Sequence, residues 1–405
     1  MTFRPRLLAI ITACCWLGAC QASRTSSFDR SVPNGENTAG GSSGGFGSDG
    51  GLSGCTTNAN CPGGFTCEVG QCVPPETEQN RGLGEAPPIA TPRYVYALNP
   101  SAASVARIDP VSLAIEAIPV GPRPVALVAL PGEDAAIALS FDDASLSVID
   151  SRTLPSKVTR LALRRQFGRL DVSADGKFAV AWPDPASPPA SGAEGIFALI
   201  DVAKLRAGAP AAEVSSERAG GFRITDVVFR VEGGRATRLF VFAKSTISTF
   251  DLTSATTGLP TRVTLPVSFS TDVTSREVVA SRDGRVVMLR STVSAQLAAF
   301  DGVALSSVPL PEVATDLDLL PDGTAAVAAL RGAGSVAYIE LPADLLNPAG
   351  IDTFAVADGG VGQVALPDTL PAGGMFAFVW SNVTGDEALS RVDFPSGRVT
   401  RYPVE

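Results

Sequence analysis

The sequence predicts an all-β protein, a seven-bladed β-propeller preceded by an export signal, a tether and a small cysteine-rich module. Three observations predict this fold. A short apolar run that ends in an acidic residue recurs seven times, at intervals of 39 to 53 residues. An Asp-Gly turn, or an equivalent one, precedes the acid in most of these units. The chain from residue 93 onward consists of short β-rich runs separated by Gly, Pro and Asp. Periods of this length are typical of four-stranded propeller blades.

Composition and charge exclude several classes of function. Apolar residues make up 45% and charged residues 18% of the 405 residues, which favours a chain with a sizeable core. The net charge is −9 and the arginines are scattered, so we expect no nucleic-acid partner. Histidine is absent, which excludes triads, zinc hydrolysis and haem ligation that depend on imidazole. Carboxylate chemistry and calcium binding stay open. No cofactor is expected.

Residues 1–19 have the form of a bacterial export signal. Arg4 and Arg6 provide a basic start, and residues 7–16 form an apolar run too short to span a bilayer as a stable helix. The run ends in Leu-Gly-Ala-Cys at residues 17–20. This ending resembles the lipobox of bacterial lipoproteins, in which an apolar residue and two small residues precede the cysteine to be acylated. A plain signal peptide that happens to contain cysteines is the alternative.

The lipoprotein resemblance implies that Cys20 is lipidated and begins the mature chain. Several acyl chains anchor a protein stably, where a single chain does so only marginally. Gln21 follows the cysteine in place of the aspartate that, in many Gram-negative lipoproteins, signals retention in the inner membrane. The resemblance therefore implies an outer-membrane lipoprotein of the cell envelope, held through its lipid anchor. Whether it faces the periplasm or the cell surface stays open.

Residues 20–54 are predicted to form a flexible tether. They are rich in Ser, Gly, Asn and Thr and contain few apolar residues. Such a segment cannot bury enough surface to offset its ordering entropy. A chain of this composition spans on the order of 30 Å root-mean-square. The tether would hold the following parts away from the lipid headgroups.

Residues 55–73 form a small cysteine-rich module. Its cysteines are Cys55, Cys61, Cys67 and Cys72, spaced C-x5-C-x5-C-x4-C. An even number of cysteines in an exported chain predicts two disulfides, with three possible connectivities. A zinc site is the alternative, although paired C-x2-C knuckles are missing. The segment resembles the small modules of secreted proteins related to the Dickkopf N-terminal region. Residues 74–92 are rich in proline and predict a stiffer linker.

Residues 93–405 divide into seven units of about 45 residues, close to known blade lengths. We place the Asp-Gly turn, such as that at residues 175–176, between the first and second strands of each blade. Because Asp-Gly favours tight hairpins, we expect both central residues of this turn to take positive φ. The recurrent acid then ends the third strand. The seven acids are Asp109, Asp150, Asp201, Asp251, Asp301, Glu340 and Asp393.

The first unit carries a family resemblance. Residues 94–99 read Tyr-Val-Tyr-Ala-Leu-Asn, residues 104–109 read Ser-Val-Ala-Arg-Ile-Asp, and residues 118–124 read Ile-Pro-Val-Gly-Pro-Arg-Pro. These segments resemble the YVTN-type β-propeller repeat, and later units keep the acid and the turn. The resemblance implies the propeller fold. It implies little about function, because such propellers host many roles.

Closure of the ring does not follow directly from this pattern. The first unit shows three strands before the next unit begins at Val125, so 27 strands can be counted where 28 would close seven blades. We expect a short, three-stranded first blade. The alternative is that residues 82–91 supply the missing strand. The alternative fold, a pair of β-sandwich domains, would not produce a segment that recurs seven times.

The candidate site is the channel mouth, where the loop before each innermost strand meets the loop after each second strand. The candidate binding residues there are Arg123, Arg169, Asp226, Arg276, Glu277 and Asp316. They predict either a ring of mixed charge that binds a ligand or a set of salt bridges between blades. Asp316 and Asp318 share a face of one strand, which suits acid/base chemistry or calcium. The proline-rich loop 183–195 is a candidate partner contact.

We expect the propeller to be monomeric and to act as a binding scaffold for another envelope protein or a surface polymer. No catalytic or metal-binding residues are predicted, because the chain holds no nucleophile elbow, Walker or dinucleotide motif. The rival hypothesis is an enzyme of the lactonase or streptogramin lyase type. A resemblance to streptogramin lyases would imply a catalytic histidine, and this chain contains no histidine. A passive structural spacer is the third possibility.

Overall fold

The computed structural model describes residues 66–68, 71–73, 86–186, 194–253, 259–269, 276–356, 360–367, 374–381 and 388–403. These residues form seven four-stranded antiparallel sheets and one two-stranded hairpin. The predicted all-β, seven-bladed propeller is therefore confirmed. Within these ranges, no helix has the length and apolar character needed to cross a bilayer.

The hairpin lies in the cysteine-rich module. Strand β1 (Thr66–Glu68) pairs with β2 (Gln71–Val73), and the register sets Cys67 opposite Cys72. Cys20, Cys55 and Cys61 lie outside the described residues, so lipidation and the two disulfides remain predictions.

Each blade is built from four strands that are consecutive in the sequence. Blades 1 to 4 contain, in order, β3 (Ile89–Ala90), β4 (Val95–Asn99), β5 (Ser104–Ile108), β6 (Ile115–Pro119); β7 (Pro124–Ala129), β8 (Ala135–Ser140), β9 (Ser145–Asp150), β10 (Lys157–Ala162); β11 (Arg169–Val172), β12 (Phe178–Trp182), β13 (Ile196–Asp201), β14 (Ser215–Ala219); and β15 (Ile224–Glu232), β16 (Arg235–Ala243), β17 (Thr246–Asp251), β18 (Thr261–Thr264). Blades 5 to 7 contain β19 (Glu277–Ala280), β20 (Val287–Arg290), β21 (Gln296–Phe300), β22 (Leu305–Pro309); β23 (Ala314–Leu319), β24 (Ala325–Leu330), β25 (Ser335–Glu340), β26 (Asp352–Ala355); and β27 (Val361–Ala365), β28 (Met375–Ser381), β29 (Ala388–Phe394), β30 (Arg398–Pro403).

Short helices interrupt two blades between their third and fourth strands. Blade 3 carries α1 (Val202–Arg206) and α2 (Ala211–Val214), and blade 6 carries α3 (Ala343–Leu346). First strands contact one another between blades 1 and 2, 2 and 3, 5 and 6, and 6 and 7, as expected for strands that line the axis of a propeller. The loops before first strands and after second strands lie on one face, here called the mouth face. The hairpin turns between first and second strands lie on the opposite face, here called the turn face.

The recurrent acid lies at the start of the turn that follows the third strand of a blade. Asp301 follows the third strand of blade 5, and its Oδ1 accepts the backbone N–H groups of Val303 and Ala304, each at 2.8 Å. Asp251 accepts in the same way from Thr253, at 2.7 Å. In blade 3 the equivalent Asp201 caps α1 by accepting from the N–H of Lys204 at 3.0 Å. In these blades the carboxylate thus satisfies the first free amides after the third strand.

The turns between first and second strands lie where predicted, but their backbone differs from the expectation. Gly176, Gly284 and Gly323 have φ values of 67°, 63° and 72°, whereas no aspartate of these turns has positive φ. The expectation of positive φ at both central residues was wrong. The loop is longer than two residues and is closed by a bond from the Gly176 N–H to the Ser173 oxygen, at 2.8 Å. Only its glycine needs the left-handed region.

The first blade has four strands, so the expected three-stranded blade was wrong. Strand β3 pairs with β4 through Ile89 opposite Tyr96 and Ala90 opposite Val95. It lies within residues 74–92, the stretch predicted to be linker, and brings the propeller to 28 strands. Pro87 and Pro88 precede it, and because proline has no N–H the ladder stops there.

The core consists of apolar clusters between blades. Six clusters of buried side chains join blades 1–2, 2–3, 3–4, 4–5, 5–6 and 6–7. Edge-to-face ring pairs contribute to two of them: Phe197 and Phe250 lie 5.0 Å apart, and Phe240 and Phe300 lie 5.1 Å apart, between ring centroids. No such cluster joins blade 7 to blade 1 among the described residues.

Candidate functional site

Four predicted site residues lie on innermost strands, close to the mouth. Each is paired with one of the last two residues of the neighbouring second strand. The pairs are Arg169 with Trp182, Asp226 with Phe242, Glu277 with Arg290, and Asp316 with Ala329. Arg123 and Arg276 directly precede β7 and β19. The positions therefore agree with the prediction, and their role as ligand contacts stays a prediction.

β-bulges set the position of several of these side chains. Innermost strands of four blades shift register at the mouth, between Pro124 and Ala126 and at the equivalent places in blades 4, 6 and 7. A bulge re-aims the residues that follow it. In blade 7 it brings Gln363 to the position that Asp316 has in blade 6. Sequence reasoning missed Gln363, because no Asp-Gly turn marks its blade.

Arg123 is held by its own blade. Its Nε lies 3.1 Å from Asp142 Oδ1, and its guanidinium carbon lies 4.3 Å from the centroid of the Phe141 ring. Arg123 also takes positive φ, at 47°. Both side chains of the ion pair are about half exposed, so it contributes little stability but fixes the direction of the guanidinium.

Arg169 and the proline-rich loop are connected. Arg169 Nη2 lies 3.1 Å from Asp184 Oδ1 at the start of loop 183–195. From blade 4, Arg223 Nη2 donates to the oxygen of Pro185 at 3.2 Å, and its Nε lies 3.8 Å from Glu194 Oε2. The described ends of this loop, 183–186 and 194–195, are thus held by the first residue of β11 and by the loop that precedes β15. Sequence reasoning did not identify Arg223.

Glu277 forms a nearly buried ion pair with Arg290. Arg290 Nε donates to Glu277 Oε2 at 2.7 Å, and Arg290 Nη1 donates to the oxygen of Ala314 in blade 6 at 3.1 Å. Burial raises the pKa of Glu277 to about 7; Arg290 opposes this shift, and Asp316 and Asp318 add to it. A carboxyl group with this pKa exchanges its proton near neutral pH, which suits a general acid or base.

Asp316 and Asp318 connect blade 6 to blade 7. Asp316 Oδ2 accepts the N–H of Val364, and Asp318 Oδ2 accepts the N–H of Leu366, both at 2.7 Å. Burial raises the pKa of Asp316, while the Val364 N–H and Arg290 oppose the shift. The two carboxylates share a face, as predicted, and each uses one oxygen to hold the next blade. No group of three or more potential metal ligands occurs among the described residues.

Arg276 lies under the mouth surface. Only 6% of the residue is exposed. Its guanidinium donates to the carbonyl oxygens of Ala243, Lys244 and Phe269 at 3.0–3.3 Å and also to Thr225 Oγ1. Burial lowers the pKa of Arg276, and the charge of Asp226 opposes this shift. Its observed contacts therefore join blades 4 and 5.

The mouth face combines fixed charges with exposed apolar side chains. Phe222, Val267 and Val293 are all exposed on it. Hydrogen bonds connect their loops: the Lys244 N–H donates to the Phe222 oxygen at 2.9 Å, and Ser291 Oγ donates to the Ser268 oxygen at 3.0 Å. These three residues, here called the mouth patch, lie on blades 4 and 5. They were not predicted from the sequence, because isolated apolar residues in loops give no signal.

No protein-family model and no curated protein matches the sequence. Solved structures share its fold. The dihydro-heme d1 dehydrogenase NirN, in complex with DHE, is 13% identical, with a TM-score of 0.51 over 84% of this chain and 70% of that one. AztD from Citrobacter koseri is 13% identical, with a TM-score of 0.47 over 79% and 86%. A streptogramin B lyase is 10% identical, with a TM-score of 0.40 over 72% and 87%. At 13% identity the likeness to the NirN structure shows the β-propeller fold alone.

Proposed function

We propose that the chain is an envelope lipoprotein that presents its propeller as a binding scaffold for another envelope protein. The lipobox-like residues 17–20 support the anchor, and residues 20–54 support a tether that leaves the propeller free to turn. The resemblance of blade 1 to YVTN-type repeats agrees with a scaffold role, because the repeat supplies a fold on which contacts are built at loops.

The observation that carries the proposal is the composition of the mouth face. Arg123 and Arg169, on blades 2 and 3, are oriented by Asp142 and Asp184, and the mouth patch lies on blades 4 and 5 of the same face. Apolar side chains surrounded by fixed polar groups are typical of protein interfaces. Preorganised side chains also lose less entropy on binding than free ones. A surface polymer would depend on the charged residues more than on the apolar ones.

The binding test compares two surfaces in intact cells. Phe222→Asp with Val267→Asp places charge in the mouth patch, and Val303→Asp alters a similarly exposed apolar residue on the turn face. We expect a crosslinked envelope protein to be lost with the first variant and kept with the second. The purified partner should bind the mouth variant at least tenfold more weakly. Equal binding by both variants would contradict a mouth interface, and retention of a glycan instead of a protein would favour the surface polymer.

The anchor is tested separately. Cys20→Ser removes the thiol that would be acylated, so we expect the protein to move from the membrane fraction to the soluble periplasmic fraction. Cys14→Ser, inside the signal, is the control and should leave fractionation unchanged. Membrane retention of Cys20→Ser would reject the lipoprotein.

A second candidate function rests on Glu277. A carboxyl group with a pKa of about 7 beside Asp316 is suited to proton transfer. Glu277→Gln would then abolish turnover of a small substrate while the partner remains bound. If no activity distinguishes the two proteins, the ion pair of Glu277 is structural.

A further inference from the structure

Four arginines lie on the mouth face where the chain enters blades 2, 3 and 4. Arg123 directly precedes the first strand of blade 2, Arg164 lies in the loop before blade 3, and Arg169 is the first residue of that blade. Arg223 directly precedes the first strand of blade 4. We call these four residues the arginine arc. The arc is continuous with the mouth patch, because the exposed Phe222 directly precedes Arg223.

Three arginines of the arc form ion pairs with acids of the loops that follow second strands. The exposed fractions of the arginine and acid side chains are 53% and 50% for Arg123 with Asp142, 46% and 27% for Arg169 with Asp184, and 30% and 22% for Arg223 with Glu194. The acid is clearly the less exposed partner in the pairs of Arg169 and Arg223. The arc therefore presents its cations to the solvent more than the acids that hold them.

Arg164 carries a positive charge that no acid of the same loops balances. Each carboxylate in the described parts of the mouth loops of blades 2 to 4 contacts an arginine, since the remaining one, Asp143, contacts Arg160. Arg164 is exposed, and its side chain forms no hydrogen bond or ion pair within the described ranges. This surplus is notable in a chain whose net charge is −9. An acidic partner would be repelled by most of the protein and steered towards the arc.

The backbone fixes two members of the arc before any partner binds. Arg123 and Arg223 have φ values of 47° and 52°, in a region that residues other than glycine adopt rarely. Hydrogen bonds hold both: the Phe141 N–H donates to the Arg123 oxygen at 3.0 Å, and Arg223 Nη2 donates to the Pro185 oxygen at 3.2 Å. Groups that are already oriented lose less entropy when a ligand binds.

The chemistry of the arc favours carboxylates. A guanidinium has five N–H donors in a planar fork, and one carboxylate engages about two of them. Arg169 uses its Nε and Nη2 on a single oxygen, Asp184 Oδ1, with both distances at 3.1 Å. The arginines of the arc can thus bind a second carboxylate without giving up the first.

The channel wall of blades 5 and 6 has the opposite character. Glu277, Asp316 and Asp318 lie on its first strands, with Arg290 as the cation beside Glu277. Their charges add to one another, as the raised pKa of Glu277 shows. An acidic ligand is therefore favoured on the arc and disfavoured inside this part of the channel.

We propose that the arginine arc binds an acidic segment of the envelope protein that the propeller engages. This inference rests on the proposed function and adds the chemistry of the partner. Carboxylates of the segment bind Arg164 and the outward donors of the other three arginines, and an apolar side chain of the partner packs on Phe222.

Photocrosslinking in intact cells tests this proposal with the full chain. A benzophenone amino acid replaces Gln166, an exposed neutral residue between Arg164 and Arg169, so the arc stays complete. Matched proteins carry it at Phe222 in the mouth patch and at Val303 on the turn face. We expect positions 166 and 222 to crosslink the same envelope protein. The segment attached to position 166 should contain more Asp and Glu than Lys and Arg.

The outcomes separate this inference from the proposed function. If position 222 crosslinks a protein but position 166 attaches to a neutral or basic segment, or to none, the mouth interface stands and the acidic segment is rejected. An acidic glycan or a lipid headgroup attached to position 166 would also overturn the inference. If neither position crosslinks a protein above the background at Val303, the proposed function falls as well.

Binding of poly-L-glutamate to the purified protein provides a second readout. Arg164→Glu reverses the unpaired charge of the arc, and Arg282→Glu makes the same change at an exposed arginine on the turn face. At low ionic strength we expect fluorescence anisotropy to show binding by the unmodified protein and by Arg282→Glu. Arg164→Glu should bind about fivefold more weakly or worse. Equal binding by the two variants, or no binding by the unmodified protein, would contradict the proposal.

Discussion

Glu277 and Arg290 face each other across the first two strands of blade 5, with 2.7 Å between Oε2 and Nε. Arg290 also reaches the Ala314 oxygen in blade 6, and the next carboxylates along the ring, Asp316 and Asp318, hold amides of blade 7. A continuous set of polar contacts therefore joins blades 5, 6 and 7 near the mouth. Glu277 lies at the blade 5 end of these contacts, and burial raises its pKa to about 7.

The first prediction concerns pH. The pKa of Glu277 is raised from 4.5 to about 7, so the fold favours its protonated form. The corresponding stability is complete below pH 4.5 and is lost as pH rises through about 7. The shift corresponds to about 3 kcal/mol. Glu277→Gln cannot titrate, so the fall in melting temperature between pH 4.5 and 7.5 should be smaller than in the unmodified protein. Exposed Glu232→Gln is the control; the same fall in all three proteins would contradict the assignment.

The second prediction concerns the buried guanidinium of Arg276. Arg276→Met keeps the apolar stem but leaves the oxygens of Ala243, Lys244 and Phe269 without this donor. We expect the free energy of unfolding to fall by roughly 2–4 kcal/mol, measured by urea denaturation. Arg285→Met, at an exposed arginine of the neighbouring turn, should change it by less than about 1 kcal/mol. Similar losses in the two variants would show that the contacts of Arg276 are not structural.

The third prediction separates turn chemistry from function at the recurrent acid. Asp301→Ala removes the acceptor of two backbone N–H groups and should cost about 1 kcal/mol. Asp301→Asn keeps an oxygen at the same place and should recover most of that loss. If the asparagine variant loses as much stability as the alanine variant, the negative charge of Asp301, and not its hydrogen bonds to the turn, stabilises the protein.

The fourth prediction compares two turn glycines. Gly284 has a φ of 63°, and a Cβ there would overlap the carbonyl oxygen of Phe229 in blade 4. Gly132 has a φ of 72°, with nothing within 4 Å of the Cβ position. Gly132→Ala should therefore cost about 1–2 kcal/mol of backbone strain. Gly284→Ala should cost several kcal/mol, because blades 4 and 5 must also separate. Equal melting temperatures of the two variants would contradict this reason.

Much of the fold follows from local chemistry. Acids that end third strands, such as Asp251 and Asp301, accept the backbone amides of the turn that follows them. The Asp-Gly turns recur because their glycine takes positive φ. Both signals depend on residues close in sequence, so blade number and strand order were predictable. Strand β3 (Ile89–Ala90) lies within residues 82–91, the alternative source of the missing strand, which the sequence did not favour because two residues beside Pro87 and Pro88 carry no periodic pattern.

The candidate site was less predictable. The alignment on turns correctly placed Asp226, Glu277 and Asp316 near the mouth. It did not distinguish Arg276, which is buried and donates to three carbonyl oxygens, from Arg123, which is half exposed. Partners such as Arg290 and Asp184 lie on other strands and loops. Their distances depend on how the sheets pair and pack, which sequence spacing does not report.

The repeat and the positions of the turns could be predicted from the sequence, because each depends on neighbours within a few residues. The export signal and the cysteine-rich module stay predictions. The pairing of charges at the mouth, the bonds by which Asp316 and Asp318 hold blade 7, and the exposure of each aromatic residue in that blade follow from the tertiary structure alone. Those features depend on contacts between blades. Phe378 and Phe240 are both aromatic residues in second strands, yet only the packing of neighbouring sheets leaves one exposed and buries the other.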